Sequence, residues 1–268
     1  MTVLITGGTG KTGRPLATLL RERGIAVRIA SRHPADDPDH VRFDWSDPDS
    51  QRRALDGVDR VYLVPPVGIL DPMPQVGPFL AAAAGRRIVA LGSSAMMSNA
   101  PGLEEYRSRI ASTPGCAVLR PTWFMQNFTA RHPVADGIRE RGEIVTATGS
   151  GRLGWIDAAD IAAVAAHALT SADVADEYLL TGPEALSYGE AAAIISEVTG
   201  RPVRHRDITT DELALRLSAE LPADFAAGLA AMDAHIRAGG EAGTTSTVQD
   251  VTGRPPRYFR DFVRAELG

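Results

Sequence analysis

The run Thr2-Val3-Leu4-Ile5-Thr6-Gly7-Gly8-Thr9-Gly10-Lys11-Thr12-Gly13 decides the fold. A short apolar strand pattern passes into four closely spaced glycines and then into a helical pattern over 12–23. Glycines allow a tight turn and bring backbone N–H groups close to a pyrophosphate, whose charge also meets the positive end of the following helix. The spacing satisfies G-x-G-x-x-G from Gly8 and G-x-x-G-x-x-G from Gly7, and it stands between a strand and a helix, where the motif has its physical meaning. The loop therefore predicts dinucleotide binding by Gly7, Thr9, Gly10, Lys11, Thr12 and Gly13. A P-loop ending in Gly10-Lys11-Thr12 would need glycine at position 5, which is Ile5.

Beyond the loop, apolar runs at 25–31, 40–44, 59–64, 87–92 and 116–120 alternate with helical patterns at 48–55, 74–84 and 103–112. This alternation is the mark of βαβ units, so the expected class is α/β with a doubly wound parallel sheet, the Rossmann arrangement. Residues 1–150 are expected to form the dinucleotide-binding domain. Residues 151–268 should form a smaller, mainly helical C-terminal lobe with segments returning to the sheet. Ser187 with Glu190 and Thr209 with Glu212 have the spacing of capping boxes. Pro222 opens a helix over 222–238 that is expected to turn Phe225, Leu229, Met232 and Ile236 inward before Gly239-Gly240.

The second strand bears on which dinucleotide is bound. An acid about 20 residues past the loop bonds the ribose hydroxyls of NAD, whereas a 2′-phosphate needs a cation. The strand ends Ile29-Ala30-Ser31-Arg32, offering a hydroxyl and a guanidinium. NADP is the expected cofactor, with Asp36 and Asp37 as the acids through which NAD could still be held. A net charge of −5 argues against a grip on nucleic acid or anionic lipid. No apolar stretch reaches the roughly 18 residues of a membrane span. With one cysteine and no leader pattern, the chain reads as cytoplasmic. The six histidines lack metal-ligand spacing, so no metal site is expected. The arginines at 201, 204 and 206 and at 254, 257, 260 and 264 alternate with acids and read as solvated faces and structural ion pairs. Of the 28 basic residues 27 are arginine, and Lys11 is the single lysine.

Three stretches, Thr6–Gly13, Phe43-Asp44-Trp45-Ser46-Asp47 and Leu119-Arg120-Pro121-Thr122-Trp123-Phe124-Met125-Gln126-Asn127-Phe128, together resemble the NmrA-like atypical short-chain dehydrogenases/reductases, and most of all their ergot-alkaloid-type branch. The likeness continues through Asp157–Ala162, Thr181–Glu184 and Thr252–Phe259. It implies an NADP-binding Rossmann domain, with Asp44 and Trp45 beside the adenine, Pro65 and Pro66 beside the nicotinamide ribose, and Ser93 and Pro121 also at the cofactor. It also implies a substrate cleft lined by Trp123, Phe124, Met125, Asn127, Phe128 and Trp155. The activity implied is NADPH-dependent hydride transfer to a small imine, iminium or conjugated substrate, in specialised metabolism, by a monomer or homodimer. A quinone or enone reductase and a non-catalytic NADP sensor are the alternatives, since both use the same loop.

The departures constrain the chemistry. Conventional relatives pair a tyrosine with a lysine four residues on, but Tyr106 is followed at that spacing by Ile110. Gly92 stands where the ergot-type reductases carry serine, with Ser93 and Ser94 next. Tyr106 therefore reads as structural, and no catalytic residue is assigned.

Overall fold

The computed structural model describes residues 1–95 and 100–268. The chain begins β1 (Thr2–Thr6), α1 (Gly13–Glu22), β2 (Ala26–Ser31), β3 (His40–Arg42), α2 (Pro48–Leu55), β4 (Arg60–Leu63), α3 (Met73–Ala82), β5 (Arg87–Leu91), α4 (Pro101–Ala111) and β6 (Ala117–Pro121). It continues through a 3-10 turn (Met125–Phe128), α5 (Pro133–Arg141), β7 (Glu143–Thr146), β8 (Arg152–Leu153), α6 (Ala158–Thr170) and β9 (Glu177–Leu180). The last elements are β10 (Leu186–Ser187), α7 (Tyr188–Thr199), β11 (Arg204–Asp207), α8 (Thr210–Leu217), α9 (Ala223–Arg237), α10 (Thr247–Thr252) and α11 (Phe259–Glu266).

These elements fall into two compact units. Among the described residues the first holds those up to 95, Ala100–Pro121 and Ala158–Leu179, and the second holds Thr122–Asp157 and Leu180–Gly268. The first unit carries a seven-stranded sheet in the order β3-β2-β1-β4-β5-β6-β9. The pairings from β3 through β6 are parallel. Order reverses between β1 and β4, the switch point at which a doubly wound sheet opens a crevice. Strand interiors such as Val3-Leu4-Ile5 and Val61-Tyr62-Leu63 are fully buried, as expected of a sheet covered on both faces. α1 turns Leu16, Ala17 and Leu20 inward.

The units do not divide at residue 150. The chain leaves the first unit after Pro121 and returns to it with α6 and β9. The reason lies in α6, whose sequence AADIAAVAAHALT is alanine-rich all round and has ten of 13 residues buried. Such a helix needs cover on every side. Arg60 and Arg87 from neighbouring strands β4 and β5 donate to the carbonyls of Leu169, Ala168 and Ser171, satisfying acceptors that the end of α6 leaves open.

The second unit is built on aromatics. Phe128 meets Trp155 and Phe259 edge-on, each at 4.8 Å, and Trp155 meets Tyr188 at 4.9 Å. β7 pairs with β11 in parallel, and β8 with β10 antiparallel. Both expected capping boxes form, at Ser187 and Thr209. In α9 the inward face is rotated from the expected one. Ala226, Gly228, Ala230, Asp233 and Ile236 are buried, while Phe225, Leu229 and Met232 are half-buried. Small residues allow close packing, and Asp233 is drawn in by a backbone N–H, which apolar spacing does not register. Of the arginine groups, Arg204 and Arg206 pair with Glu143, Arg260 with Glu197 and Arg264 with Asp261.

Candidate functional site

The glycine loop is pinned at its base. Thr6 Oγ1 donates to the Tyr62 carbonyl at 3.2 Å and accepts from Val64 N–H at 2.7 Å, which ties the ends of β1 and β4 together. Gly7 turns the chain at φ +62°, and Gly10 N–H closes the turn on Gly7 O at 2.8 Å. A Cβ on Gly13 would stand 2.4 Å from Gly7 O and 2.7 Å from Gly8 Cα, so the helix enters the loop at a distance only glycine permits. A Cβ on Gly10 would meet just one neighbour, Gly7 O at 3.0 Å. Among the described residues the amides of Thr12 and Gly13 donate to no backbone carbonyl. Thr9, Gly10 and Lys11 are exposed, and partial burial lowers the Lys11 ammonium pKa. Two unclaimed N–H groups at the start of α1, an exposed cation and a cradle that side chains would fill are what a pyrophosphate requires.

The other expected cofactor residues of the first unit lie at the C-terminal ends of the strands. Arg32, just past β2, is exposed and makes no hydrogen bond or ion pair among the described residues. Ser31 Oγ is shielded and likewise has no partner. After β3, Asp44 Oδ1 accepts from Ser46 N–H at 2.9 Å and Ser46 Oγ at 2.7 Å. These two bonds hold its carboxyl below the usual range, helped by the charges of Arg42 and Arg32. Trp45 meets Phe43 and Phe79 edge-on at 4.9 and 5.5 Å, so much of its ring belongs to the sheet's packing. Pro65 and Pro66 follow β4 half-buried, Ser93 Oγ accepts from Ala95 N–H at 3.1 Å, and Pro121 ends β6 buried. The C-terminal edge of such a sheet is where a ligand binds.

No acid of conventional type stands among these residues. The Tyr106 hydroxyl donates to Leu91 O at 3.2 Å, and burial raises its pKa well above 10.0. Burial raises the Tyr62 hydroxyl likewise. Tyr178 is buried, its hydroxyl accepting from Ala175 N–H at 3.0 Å.

In the second unit the expected cleft residues separate into two sets. Met125, Phe128 and Trp155 are at most 1% exposed and sit in the aromatic core, with Trp155 Nε1 donating to Leu186 O at 3.0 Å. They are corrected from lining to packing: six aromatic and sulfur-bearing side chains attract one another as strongly as they would a ligand, and a motif does not separate the two roles. Trp123 and Phe124 remain half-buried, and Asn127 is buried on the adjoining turn.

What holds that turn was invisible in the sequence. Phe124 and Ile156 form a parallel bridge, with Met125 N–H on Ile156 O and Ile156 N–H on Trp123 O. Asp157, 2% exposed, accepts from Gln126 Nε2 at 2.8 Å and from Arg257 Nη1 at 2.9 Å. His132 caps α5, its Nδ1 accepting from Val134 N–H at 3.2 Å. Among the described residues no His, Cys, Asp and Glu group could hold a metal, and no helix is long and apolar enough to cross a membrane.

Residues 3–68 match the family described as NAD dependent epimerase/dehydratase. Over 272 residues the chain is 43% identical to an uncharacterized oxidoreductase, YesF, of Bacillus subtilis (strain 168), covering 98% of this chain and 94% of that protein. It is 38% identical to an agroclavine dehydrogenase of Claviceps fusiformis, covering 98% and 96%. Among solved structures, an NADPH-dependent quinone oxidoreductase from Escherichia coli, complexed with NADPH, has the same fold. The TM-score is 0.82 at 23% identity, covering 99% of this chain and 100% of that one.

Proposed function

Since the chain belongs to the NmrA-like family of NAD(P)H-dependent oxidoreductases, which takes in the agroclavine dehydrogenases, we propose that it is an NADPH-dependent reductase of small imine, iminium or conjugated acceptors. NADPH supplies the hydride when bound. The glycine loop would hold its pyrophosphate, and Arg32 with Ser31 would hold the 2′-phosphate, a charge-assisted contact worth about 1.5–3 kcal/mol, or roughly ten- to a hundredfold in affinity.

The observation that carries the choice of acceptor is the engagement of Tyr106 with Leu91 O, in a chain whose single lysine lies in the cofactor loop. A ketone accepting hydride develops alkoxide charge and needs a proton donor, help worth about 10²- to 10⁴-fold. An iminium carbon is neutralised by the hydride itself, and a quinone or enone spreads the charge. Trp123, Phe124 and Asn127 would then serve by orienting the acceptor and keeping water out. The quinone reading draws its own support from the fold shared with a quinone oxidoreductase.

Two measurements test this. Titration of NADPH and NADH against the wild type and Arg32→Ala should give a wild-type preference for NADPH that the variant loses; equal wild-type affinities overturn the NADP assignment. NADPH consumption across iminium, quinone, enone and ketone compounds should favour the first three, and a preference for ketones overturns the acceptor class.

A further inference from the structure

The loop that follows β4 is pinned at both ends and apolar at its tip. It leaves β4 against the glycine loop, since Thr6 Oγ1 accepts Val64 N–H at 2.7 Å and a Cβ on Gly7 would stand 3.3 Å from Val64 Cβ. It ends just as firmly where α3 starts. Asp71 Oδ1 accepts Met73 N–H at 3.1 Å, and Gly102 of α4 comes so near that a Cβ there would stand 2.6 Å from Asp71 Cα. Between these anchors runs Pro65-Pro66-Val67-Gly68-Ile69-Leu70, and among the described residues none of its backbone groups bonds to another element. The chain turns at Val67-Gly68, with Gly68 at φ +80° and open space where its Cβ would be.

The tip stands in water. Val67 is 92% exposed, Ile69 is 36% exposed and Leu70 is half-buried. The other exposed large apolar side chains among the described residues, Met1, Leu179, Leu215 and Tyr258, are far apart in the chain. Single apolar side chains on a surface are ordinary, whereas a group of them beside a crevice favours an apolar ligand.

The place of the loop says which ligand. Sheet order reverses between β1 and β4, and a dinucleotide lies across that switch point. With the glycine loop on the pyrophosphate and Ser31 and Arg32 on the 2′-phosphate, as proposed above, the adenosine half lies over β1 to β3, and the nicotinamide half falls on the side of β4 and β5. An acceptor must meet the nicotinamide there, next to the chain that leaves β4. The side chains of Val67 and Ile69 carry neither charge nor hydrogen-bonding group, so they recognise apolar surface. Pyrophosphate and ribose offer little of it, and an acceptor's ring offers much. We propose that the tip of this loop is the wall against which the acceptor's ring system lies, with Val67 and Ile69 setting a preference for fused-ring over single-ring acceptors. This rests on the reductase reading above and adds to it the feature by which acceptors are told apart.

The test compares menadione with 1,4-benzoquinone, which has the same reacting group without the fused ring, at saturating NADPH. Wild type is set beside Val67→Ser, Ile69→Ser and the double variant, all in an exposed loop where serine leaves the core intact. Each aliphatic side chain that a ring covers only in part contributes a few-fold in affinity. The double variant should therefore lower kcat/KM for menadione about tenfold, mostly through KM, and for benzoquinone less than about threefold. The affinity for NADPH should be unchanged. Equal losses on the two quinones, unchanged menadione kinetics or weakened NADPH binding overturns the proposal. So does a wild-type dimer that the double variant splits while menadione KM stays the same, because the tip then covers a second copy. If the wild type reduces neither quinone, the reading of these quinones as acceptors fails by itself. Equilibrium dialysis of menadione against protein saturated with NADP then judges the wall: binding that the double variant loses supports it, and absence of wild-type binding overturns it.

Discussion

Replacing Arg257 with methionine should destabilise the protein because of what it leaves behind. Asp157 has a side chain only 3% exposed, and Arg257 Nη1 at 2.9 Å is its counter-charge. Taking one partner from a buried ion pair leaves a charge in a medium that solvates it poorly, at about 3–5 kcal/mol. Two features of this pair favour the lower end. Gln126 Nε2 remains on the carboxylate at 2.8 Å, and Arg257 is itself 33% exposed. Its guanidinium also lies 5.5 Å from the Phe262 ring centroid, a contact worth about 0.5–1 kcal/mol. Arg257→Met should therefore lose about 3–4 kcal/mol in urea unfolding at neutral pH. Asp157→Asn alone should lose less, about 1–2 kcal/mol, because the stranded arginine is partly solvated and the new amide oxygen still accepts from Gln126. The decisive species is the double variant, which contains no stranded charge and should be more stable than Arg257→Met alone. If the two single losses simply add, the buried charge is not the cause, and Arg257 acts through packing on Phe262.

The remaining expectations concern the loop, the tyrosine and the second buried acid. Gly13→Ala should abolish nucleotide binding and lower Tm, because its Cβ would stand 2.4 Å from Gly7 O, whereas Gly10→Ala, with one neighbour at 3.0 Å, should keep Tm and weaken NADPH binding in titration. Tyr106→Phe should lower kcat less than about tenfold with a deuterated-cofactor isotope effect preserved, and a thousandfold loss with normal NADPH binding would identify it as the acid. Asp233 has its pKa pushed up from 3.8 to about 6, so the folded state resists ionising it and that penalty grows as pH rises between those values. Asp233→Asn should then stabilise the protein by on the order of 2–3 kcal/mol at pH 8 and little at pH 4, and equal effects at both pH values refute a buried ionised carboxylate.

The first unit was legible because its signals are local. The glycine loop and the strands and helices that alternate around it are each written within a few residues, and their physics is decided there. Tyr106 was read as structural from the absence of a lysine, and its hydroxyl is engaged with Leu91 O. The second unit was less legible because its decisive contacts join distant residues. Asp157 meets Gln126 across 31 positions and Arg257 across 100, and Asp233 meets Ala147 across 86. No spacing rule spans such separations. The same limit explains Met125, Phe128 and Trp155, since an aromatic residue in a motif reads alike whether it faces a ligand or another ring. Where the chain passes from one unit to the other is not written in periodicity either: α6 is alanine-rich on every side, and helical spacing does not say which unit supplies its cover.

One buried acid of the second unit bears on how a reductase without a tyrosine–lysine pair could work. Asp157 has its charge matched inside the fold, by a guanidinium and an amide, and the turn carrying Trp123, Phe124 and Asn127 is tied to it through Gln126. A matched pair gains little net energy over apolar packing but fixes directions, which is what orientation of an acceptor demands. An acceptor held in a fixed direction needs less help from a proton donor where hydride neutralises or delocalises its charge, so a chain with no lysine outside the glycine loop asks more of such positioning.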